Sequence, residues 1–359
     1  MRKKTIFLVG SDTGGHVVPV FALAKDLEAD PNFRIVVIGV GSETEKRFYS
    51  TLKKSEYRMI FAGKFQFNSF LYILSVFKSA VGFFQSLALI LKYRPRVVFL
   101  KGNYSTVPVA FAARLFSIPI IAHESDAVIG KSNKLISKFA KKLFVAYPVE
   151  VYENIKVKYS GSILREEYLY RDSTKDQNNS KPKILVLGGS QGAHAINELV
   201  FRSINELVSV YDLTHQTGLK DIFEAKNIKK QLPKDLIDNY HPQAFIENNH
   251  LAIIEADLII SRASSGIFEF AAFKKPVILI PYPYASLDHQ VANAEFFKCR
   301  DAAAVLIEKN LTPAIFYSTI SKLMASDKKR SEMGMNLFSS SKLDGEKIVK
   351  SEIIKMAGK

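Results

Sequence analysis

Short apolar runs rich in β-branched residues recur along the chain, and stretches with helical periodicity separate them. In the first half these runs predict strands at TIFLVG (5–10), RIVVIGV (34–40), RVVFLKG (96–102), PIIAHE (119–124) and KLFVAY (142–147). Helical patterns lie between them, as in PVFALAKDLEA (19–29) and TVPVAFAARLF (106–116). The second half repeats the alternation with KILVLGG (183–189), ADLIISR (256–262) and PVILIPY (276–282). This rhythm predicts α/β architecture with parallel, doubly wound sheets.

A glycine-rich loop follows the first strand of each half. GSDTGGH (10–16) and GGSQGAH (188–194) align so that Gly10 matches Gly188, Gly14 matches Gly192 and His16 matches His194. Neither loop has the spacing of the dinucleotide fingerprint or of the P-loop. A strand–loop–helix turn of this kind presents backbone N–H groups to an anion. The repeat therefore predicts two similar domains, joined through the polar stretch RDSTKDQNNSKP (171–182).

Composition adds a charge asymmetry to this picture. The chain has 359 residues and a net charge of +15, and 47% of its residues are hydrophobic. Residues 1–165 hold 25 Lys and Arg against 11 Asp and Glu, whereas residues 166–359 hold 25 against 24. A basic half beside a neutral one predicts a large anionic partner on one side. A single cysteine, Cys299, excludes an internal disulfide, and no signal peptide is expected because the first apolar run is short.

The segment 64–96 is unusually apolar and aromatic. Leu74, Phe77, Phe84 and Leu91 are among the apolar residues that keep helical spacing along it, which is compatible with a buried helix pair. However, residues 51–100 hold eight basic residues against one acid, and apolar together with basic residues is typical of a membrane-surface patch. Because Lys78 interrupts the run, we expect peripheral contact with an anionic membrane rather than a span.

Metal chemistry is not expected from the pattern of polar residues. The seven histidines are dispersed, and the sequence has no H-E-x-x-H, no Cys–His cluster and no D-x-D pair. No recognition module for nucleic acid is visible either. If the ligand carries phosphates, helix N-termini, hydroxyl groups and an arginine must offset their charge.

Several short motifs occur in order along the chain: TGGH (13–16), KGNYSTVP (101–108), HESD (123–126), GSILR (161–165) and GGSQGAH (188–194). They resemble, in the same order, the motifs T-G-G-H, G-G-Y-x-S, H-E-Q-N, G-N-P-V-R and G-G-S-Q-G-A-R of the MurG family of N-acetylglucosaminyltransferases. The H-Q-[ST]-G motif is intact at 215–218, and the segments 261–281 and 288–297 complete the series. The order and spacing of these motifs over about residues 5–300 carry the resemblance.

The resemblance implies a metal-independent GT-B glycosyltransferase whose two Rossmann-like domains face a cleft. Residues 1–163 would take the lipid-linked diphosphate acceptor at the cytoplasmic face of the membrane, residues 164–341 would bind UDP-N-acetylglucosamine, and residues 342–359 would pack back on the first domain. The reaction implied is inverting transfer of N-acetylglucosamine to lipid I, which forms lipid II for peptidoglycan.

Site residues carry over position by position. Ile246 would pair with uracil through its backbone, Glu269 would bind ribose, and Gln290 would contact the sugar. The remaining donor contacts would come from Thr13, Gly14, Gly15, Arg165, Ser190, Ser264, Ser265 and Gly266, and the acceptor side would include Tyr104 and Ser105. His16 is the candidate general base, with His123 and Asp126 as rivals, because an imidazole can take a proton at neutral pH.

This chain departs from the family pattern at several of these positions. Asp126 replaces an asparagine, His194 stands where an arginine is usual, and the stretch between Arg262 and Glu269 is one residue shorter. Two other functions therefore remain open at this point. One is a transferase of the same fold acting on another lipid, such as a diacylglycerol, and the other is a non-catalytic nucleotide-sugar-binding protein associated with the membrane.

Overall fold

The computed structural model describes residues 3–64, 69–148, 157–169, 181–189 and 192–358, with the backbone alone for 69–71. The chain divides into two compact units. The first unit comprises Met1–Arg165 together with Lys342–Lys359, and the second comprises Glu166–Ser341. Most of the predicted linker at 171–182 lies outside the described residues.

In the first unit the described strands form one parallel sheet. They are β1 (Lys4–Val9), β2 (Phe33–Gly39), β3 (Glu56–Met59), β4 (Val97–Lys101), β5 (Ile120–Glu124), β6 (Lys142–Val145) and β7 (Val157–Tyr159). The helices among them are α1 (Gly14–Leu27), α2 (Glu43–Tyr49), α3 (Ser69–Tyr93), α4 (Thr106–Leu115) and α5 (Lys131–Ser137). The strand order β3-β2-β1-β4-β5-β6-β7 reverses direction between β1 and β4, and ligands of open α/β sheets bind beside such a switch point.

The second unit repeats this design with a smaller sheet. Its strands are β8 (Lys183–Leu187), β9 (Asp212–Gln216), β10 (Tyr240–Gln243), β11 (Leu258–Ser261), β12 (Val277–Leu279) and β13 (Ala304–Val305). Its helices are α6 (His194–Arg202), α7 (Ile204–Val210), α8 (Ile222–Gln231), α9 (Asn249–Glu255), α10 (Ile267–Ala272), α11 (His289–Lys298), α12 (Pro313–Met324) and α13 (Asp327–Ser339). The order β10-β9-β8-β11-β12-β13 is parallel throughout, and its switch point lies between β8 and β11.

The last helix of the chain belongs to the first unit. Helix α14 (Gly345–Gly358) contacts α1, β1 and β4, and its apolar face is fully buried in their core through Val349, Ile353 and Ala357. A stretch of 18 residues at the C-terminus thus completes the core of the N-terminal unit.

Helix α3 bears on the two interpretations of the apolar segment, a buried helix pair and a membrane-surface patch. From Ser69 to Tyr93 it is one continuous helix of 25 residues, and Leu74, Phe77, Phe84 and Leu91 of its apolar stripe are exposed. Phe77 and Phe84 are each 66% exposed, whereas the small residues Ser75 and Ser86 are buried. Over the described residues much of the apolar stripe is therefore exposed, which a buried helix pair would not leave, and the expected contact with a membrane stays a prediction.

Length and composition alone would let the part of α3 from Tyr72 to Tyr93 cross a membrane. It has a mean hydropathy of 1.7, and only 22% of its most apolar window is buried. Its C-terminal end is packed on the sheet, where Ile90 and Tyr93 join the core. The C-terminal end of α3 is therefore buried in the core of the first unit, whereas apolar side chains in its N-terminal portion are exposed to solvent.

The predicted parallel α/β architecture is confirmed, and every strand predicted from an apolar run is present. The strands without a prediction include β3 (EYRM) and β10 (YHPQ), which lie at sheet edges and are polar. An edge strand has one neighbour and more solvent, so it lacks the continuous apolar run of a central strand.

Candidate active site

The loop between β1 and α1 brings the first glycine motif to the carboxyl end of the first sheet. A Cβ on Gly10 would lie 2.6 Å from the His16 carbonyl oxygen and 2.6 Å from Val20 Cγ2, so glycine allows α1 to approach β1 closely. Thr13 precedes the helix in extended conformation, and Gly14, Gly15 and His16 form its first turn. The first N–H groups of a helix lack intrahelical acceptors, which suits this turn to an anion.

A buried carboxylate in α2 supports this loop. Glu45 Oε1 accepts a hydrogen bond from the Asp12 amide at 2.9 Å, while Asp12 itself has a positive φ of 75°. Glu45 Oε2 accepts from the Val40 amide at 2.8 Å and from the Tyr57 hydroxyl at 2.6 Å. These bonds hold the strained Asp12 peptide, and with it the turn that leads to His16.

Tyr104 and Ser105 lie in the loop after β4, beside the β1 loop. Tyr104 is half-buried and hydrogen-bonded to Asp12, and burial together with the Asp12 carboxylate raises the pKa of its hydroxyl to about 12. Ser105 is fully buried, accepts from Ser11 Oγ at 2.6 Å and donates to Asn103 Oδ1 at 2.6 Å. The Ser105 side chain therefore joins two loops, and its predicted acceptor contact stays a prediction.

His123, one of the rival bases, ends in the interior. Its ring is fully buried at the end of β5, and Nε2 lies 3.0 Å from the Gly161 carbonyl oxygen, to which it donates. Burial, and next the Lys101 ammonium, hold its pKa well below the usual value. The imidazole is therefore buried away from solvent, and its role as a base stays a prediction.

Asp126 is more accessible than His123. It is half-buried in the loop after β5, and its amide donates to Glu124 Oε1 at 3.2 Å. Glu124 itself is buried and accepts from the amides of Ser125 and Gly130, each at 2.9 Å. Asp126 and His16 therefore remain the two candidate bases whose side chains are partly accessible.

Arg165 is predicted to contact the donor, and the structure groups it with the first unit rather than with residues 164–341. Its guanidinium lies 5.9 Å from the centre of the Phe48 ring. Its role toward the donor stays a prediction.

In the second unit the glycine loop follows β8. Gly192 has a φ of +81°, and a Cβ there would lie 2.3 Å from the Thr217 carbonyl oxygen, so the position requires glycine. The Gly192 amide donates to the Gly189 carbonyl at 3.1 Å. Ser190 lies outside the described residues, so its predicted donor contact stays a prediction.

The H-Q-T-G motif connects this loop to the end of β10. Gln216 donates from Nε2 to the Gly189 carbonyl and accepts from the Ile246 amide on Oε1, both at 2.9 Å. Behind it, the buried His215 contacts Asn197 at 2.9 Å and the Tyr240 hydroxyl at 3.0 Å, and burial lowers its pKa to about 3. The motif is thus an internal brace that fixes the Ile246 backbone relative to the glycine loop.

Glu269 lies in the first turn of α10, immediately after Ser264, Ser265 and Gly266. Its carboxylate accepts from Asn249 Nδ2 at 3.3 Å, and the Tyr168 hydroxyl donates to Asn249 Oδ1 at 2.5 Å. Four residues here are half-buried, namely Ser264, Ser265, Gly266 and Glu269. The arrangement orients a partly accessible carboxylate next to a helix start, as the ribose and diphosphate predictions require.

Gln290 stands in the first turn of α11. Its Oε1 accepts from the Tyr282 amide at 2.9 Å, which fixes the loop after β12. The side chain is half-buried, so it combines a positioning contact with partial access.

Models of known protein families match both units of the chain. The glycosyltransferase family 28 N-terminal domain matches residues 6–145, and the C-terminal domain of the same family matches residues 183–349. A protein of Treponema denticola named UDP-N-acetylglucosamine–N-acetylmuramyl-(pentapeptide) pyrophosphoryl-undecaprenol N-acetylglucosamine transferase is 33% identical over 338 residues, covering 87% of this chain and 86% of its own. A Clostridium kluyveri protein of the same name is 33% identical over 89% of this chain and 91% of its own. The chain belongs to the MurG family.

A solved structure supports the same assignment. The crystal structure of Acinetobacter baumannii MurG aligns with a TM-score of 0.76 and 25% identity, over 99% of this chain and 100% of that one. The MurG fold is therefore confirmed, in the sense of two parallel α/β units with the family 28 domains.

Three residues that support this MurG site were not identified from the sequence. Glu45 carries a readable signal, because Ser42 and Glu45 form the S-x-x-E pattern of a capping box, and the Glu45 amide donates to Ser42 Oγ at 3.3 Å. Gln216 lies in a recognised motif, but its two bonds depend on loops far apart in sequence. Lys101 shows only as a charge at the end of the apolar run RVVFLKG.

Proposed function

We propose that this protein transfers N-acetylglucosamine from UDP-N-acetylglucosamine to lipid I and so forms lipid II. The observation that carries the proposal is the match, at 31–33% identity over 87–97% of this chain, to several proteins named as this transferase. The loops that hold the family motifs lie at the carboxyl ends of parallel strands, where α/β proteins bind ligands.

The second unit binds the donor. The Glu269 carboxylate accepts hydrogen bonds from the ribose hydroxyls, and an ionised acceptor makes these bonds stronger than neutral ones. Ile246 contacts uracil through its backbone; its amide is already bonded to Gln216, so its carbonyl oxygen is the group left for the base. Ser264, Ser265 and Gly266 meet the diphosphate, and Gln290 meets the sugar.

Transfer is a single displacement at the anomeric carbon. The acceptor hydroxyl oxygen forms the new bond, the bond from the anomeric carbon to the diphosphate oxygen breaks, and UDP leaves with that electron pair. His16 takes the hydroxyl proton, with Asp126 as the alternative base. One displacement inverts the configuration and needs no covalent intermediate.

The charge of the departing diphosphate is offset by backbone N–H groups, hydroxyls and Arg165. We propose that no metal ion is required. The donors named in this proposal are N–H and O–H groups, which bind phosphate oxygens directly.

The protein acts at the cytoplasmic face of the membrane as a peripheral protein. The exposed apolar residues of α3 and the basic excess in residues 1–165 support this part of the proposal. Apolar area buried in the lipid interface and attraction to anionic headgroups act together in such binding.

The experiment is incubation of the purified chain with radiolabelled UDP-N-acetylglucosamine and lipid I, in the presence and absence of EDTA. Formation of labelled lipid II that survives EDTA is expected. Diacylglycerol is offered in a parallel reaction as a competing acceptor. Label in diacylglycerol but not in lipid I would overturn the acceptor assignment, and loss of lipid II on adding EDTA would overturn metal independence.

A further inference from the structure

A lysine lies buried at the end of β4, beside the loop that carries Asp126. Lys101 is 1% exposed, although an ammonium without partners in the interior is strongly unfavourable. Its Nζ donates a hydrogen bond to Ser125 Oγ. Burial lowers its pKa to about 8, and Glu124 and Asp126 partly oppose that effect. The Lys101 ammonium is therefore hydrogen-bonded to the HESD segment (123–126) and shielded from solvent.

The two carboxylates near Lys101 have different surroundings. Glu124 is saturated by N–H donors, because besides the amides of Ser125, Asp126 and Gly130 it accepts from Asn133 Nδ2 at 3.0 Å. Those bonds fix the loop. Asp126 is half-buried at the accessible side of the same loop, so its charge is the one that a substrate can meet.

The strand register explains why Lys101 reaches this loop. β4 and β5 are adjacent and parallel, and Lys101 pairs with His123, two residues before Ser125. The Lys101 side chain therefore reaches the loop after β5 at the carboxyl end of the sheet, where it contacts Ser125.

The family resemblance makes the charge of this loop unusual. The MurG pattern H-E-Q-N has neutral amides at its last two positions, whereas this chain has Ser125 and Asp126. Replacing the amide by a carboxylate adds a second negative charge beside the buried Glu124. A buried cation in contact with the intervening serine offsets that charge.

We propose that Lys101 is a positioning residue for the acceptor site, which holds the Ser125–Asp126 segment so that the Asp126 side chain faces the acceptor. Lys101, hydrogen-bonded to Ser125, supplies a positive charge beside the carboxylate that stands in place of the neutral amide in the family pattern. The inference rests on the proposed function in one respect, that Asp126 lies in the acceptor site. Lys101 itself does not touch substrate, since it is buried.

The kinetic test is a double-mutant cycle of Lys101→Met, Asp126→Asn and the combined variant, with Lys101→Arg as the conservative change. We expect either single change to lower kcat or raise the lipid I KM, with kcat/KM for lipid I falling at least tenfold and UDP affinity unchanged. The combined variant should lose no more kcat/KM for lipid I than the more impaired of the two single variants. Lys101→Arg should retain part of the parent's rate. Lys234→Met, the loss of an exposed lysine in the second unit and outside the basic half of the chain, is the control and should leave the kinetics unchanged.

Multiplicative losses in the combined variant would overturn the proposal, because they would mean that the two residues act independently. A Lys101→Met protein with a lower Tm and unchanged kinetics would also overturn it and leave a structural role only.

A second measurement does not depend on activity. NMR of ¹³C-labelled lysine follows the titration of Lys101 in the parent, in Asp126→Asn and in Lys234→Met. The groups that face Lys101 are Glu124, Asp126 and His123. Removing the Asp126 charge should lower the pKa of Lys101 further below about 8, and Lys234→Met should leave it unchanged. An unchanged Lys101 pKa in Asp126→Asn refutes the pairing even if the parent makes lipid II, whereas a parent that makes no lipid II refutes the proposed function alone.

Discussion

The Glu269 side chain is held in place by two neighbouring residues. Asn249 donates to its carboxylate, and the Tyr168 hydroxyl in turn holds Asn249. Because the rotamer is already held, the proposed binding of ribose would cost this side chain little conformational entropy. The sequence identified Glu269 only through its motif; Asn249 and Tyr168 lie 20 and 101 positions away, and no local pattern connects them.

Glu269→Ala should weaken UDP binding and leave the fold intact. The lost charge-assisted hydrogen bonds are worth about 1.5–3 kcal/mol, which corresponds to about a 10- to 150-fold higher Kd. Isothermal titration calorimetry with UDP measures the change, and Glu255→Ala, an exposed carboxylate on α9, serves as the control. An unchanged Kd would remove Glu269 from the ribose site.

His16→Ala should abolish most turnover and spare UDP binding, because His16 belongs to the first unit and the residues proposed to contact uridine belong to the second. A base acts only as the new bond forms, so its removal appears in kcat and costs about 10²- to 10⁴-fold. His16→Asn keeps a polar side chain that cannot take a proton. Steady-state kinetics of both variants distinguish a base from a binding residue. If kcat of His16→Asn lies within a few-fold of the parent value, His16 is a binding residue and Asp126 becomes the candidate base.

Whole elements were easier to predict than the contacts between them. Central strands such as β4 and β8 are continuous apolar runs, and their burial on both faces is what makes the run readable. Residues such as Ser105 and His123 have the types expected of a site and sit beside it in sequence, yet both side chains point inward. Which way a side chain points at a strand end depends on the neighbouring strand and its loop, and one strand's sequence does not contain that information.

Helix α3 exposes several large apolar side chains, and we expect this surface to contact a membrane. We predict that the protein binds phosphatidylglycerol vesicles at low salt, more weakly as salt increases, and less to phosphatidylcholine vesicles. Each basic residue near an anionic surface contributes about 1 kcal/mol, and salt screens that contribution. Flotation of the purified protein with each kind of vesicle measures binding.

The matched variants replace exposed phenylalanines. Phe77→Ser with Phe84→Ser should reduce vesicle binding without loss of stability, because both side chains are 66% exposed. Phe223→Ser, which removes a phenylalanine that is 74% exposed in the second unit, should bind as the parent does. Equal binding to both kinds of vesicle would contradict the electrostatic contribution, and undiminished binding of the double variant would exclude α3 as the contact.

At the scale of the whole molecule, the chain's last helix stabilises its first unit. α14 follows α13 of the second unit in sequence, but Val349, Ile353 and Ala357 are fully buried against α1, β1 and β4. Ile353→Ala should therefore cost about 2–5 kcal/mol in the first unit, the usual range for a large-to-small change in a core. Lys355→Ala, an exposed position on the same helix, should cost little stability.

Hydrogen exchange read by mass spectrometry distinguishes the two units. In Ile353→Ala, exchange should accelerate in peptides from β1 and α1 and stay as in the parent in peptides from β8 to β12, with UDP affinity unchanged. Faster exchange confined to the second unit would mean that the C-terminal helix belongs energetically to its neighbours in sequence and not to the core that it fills.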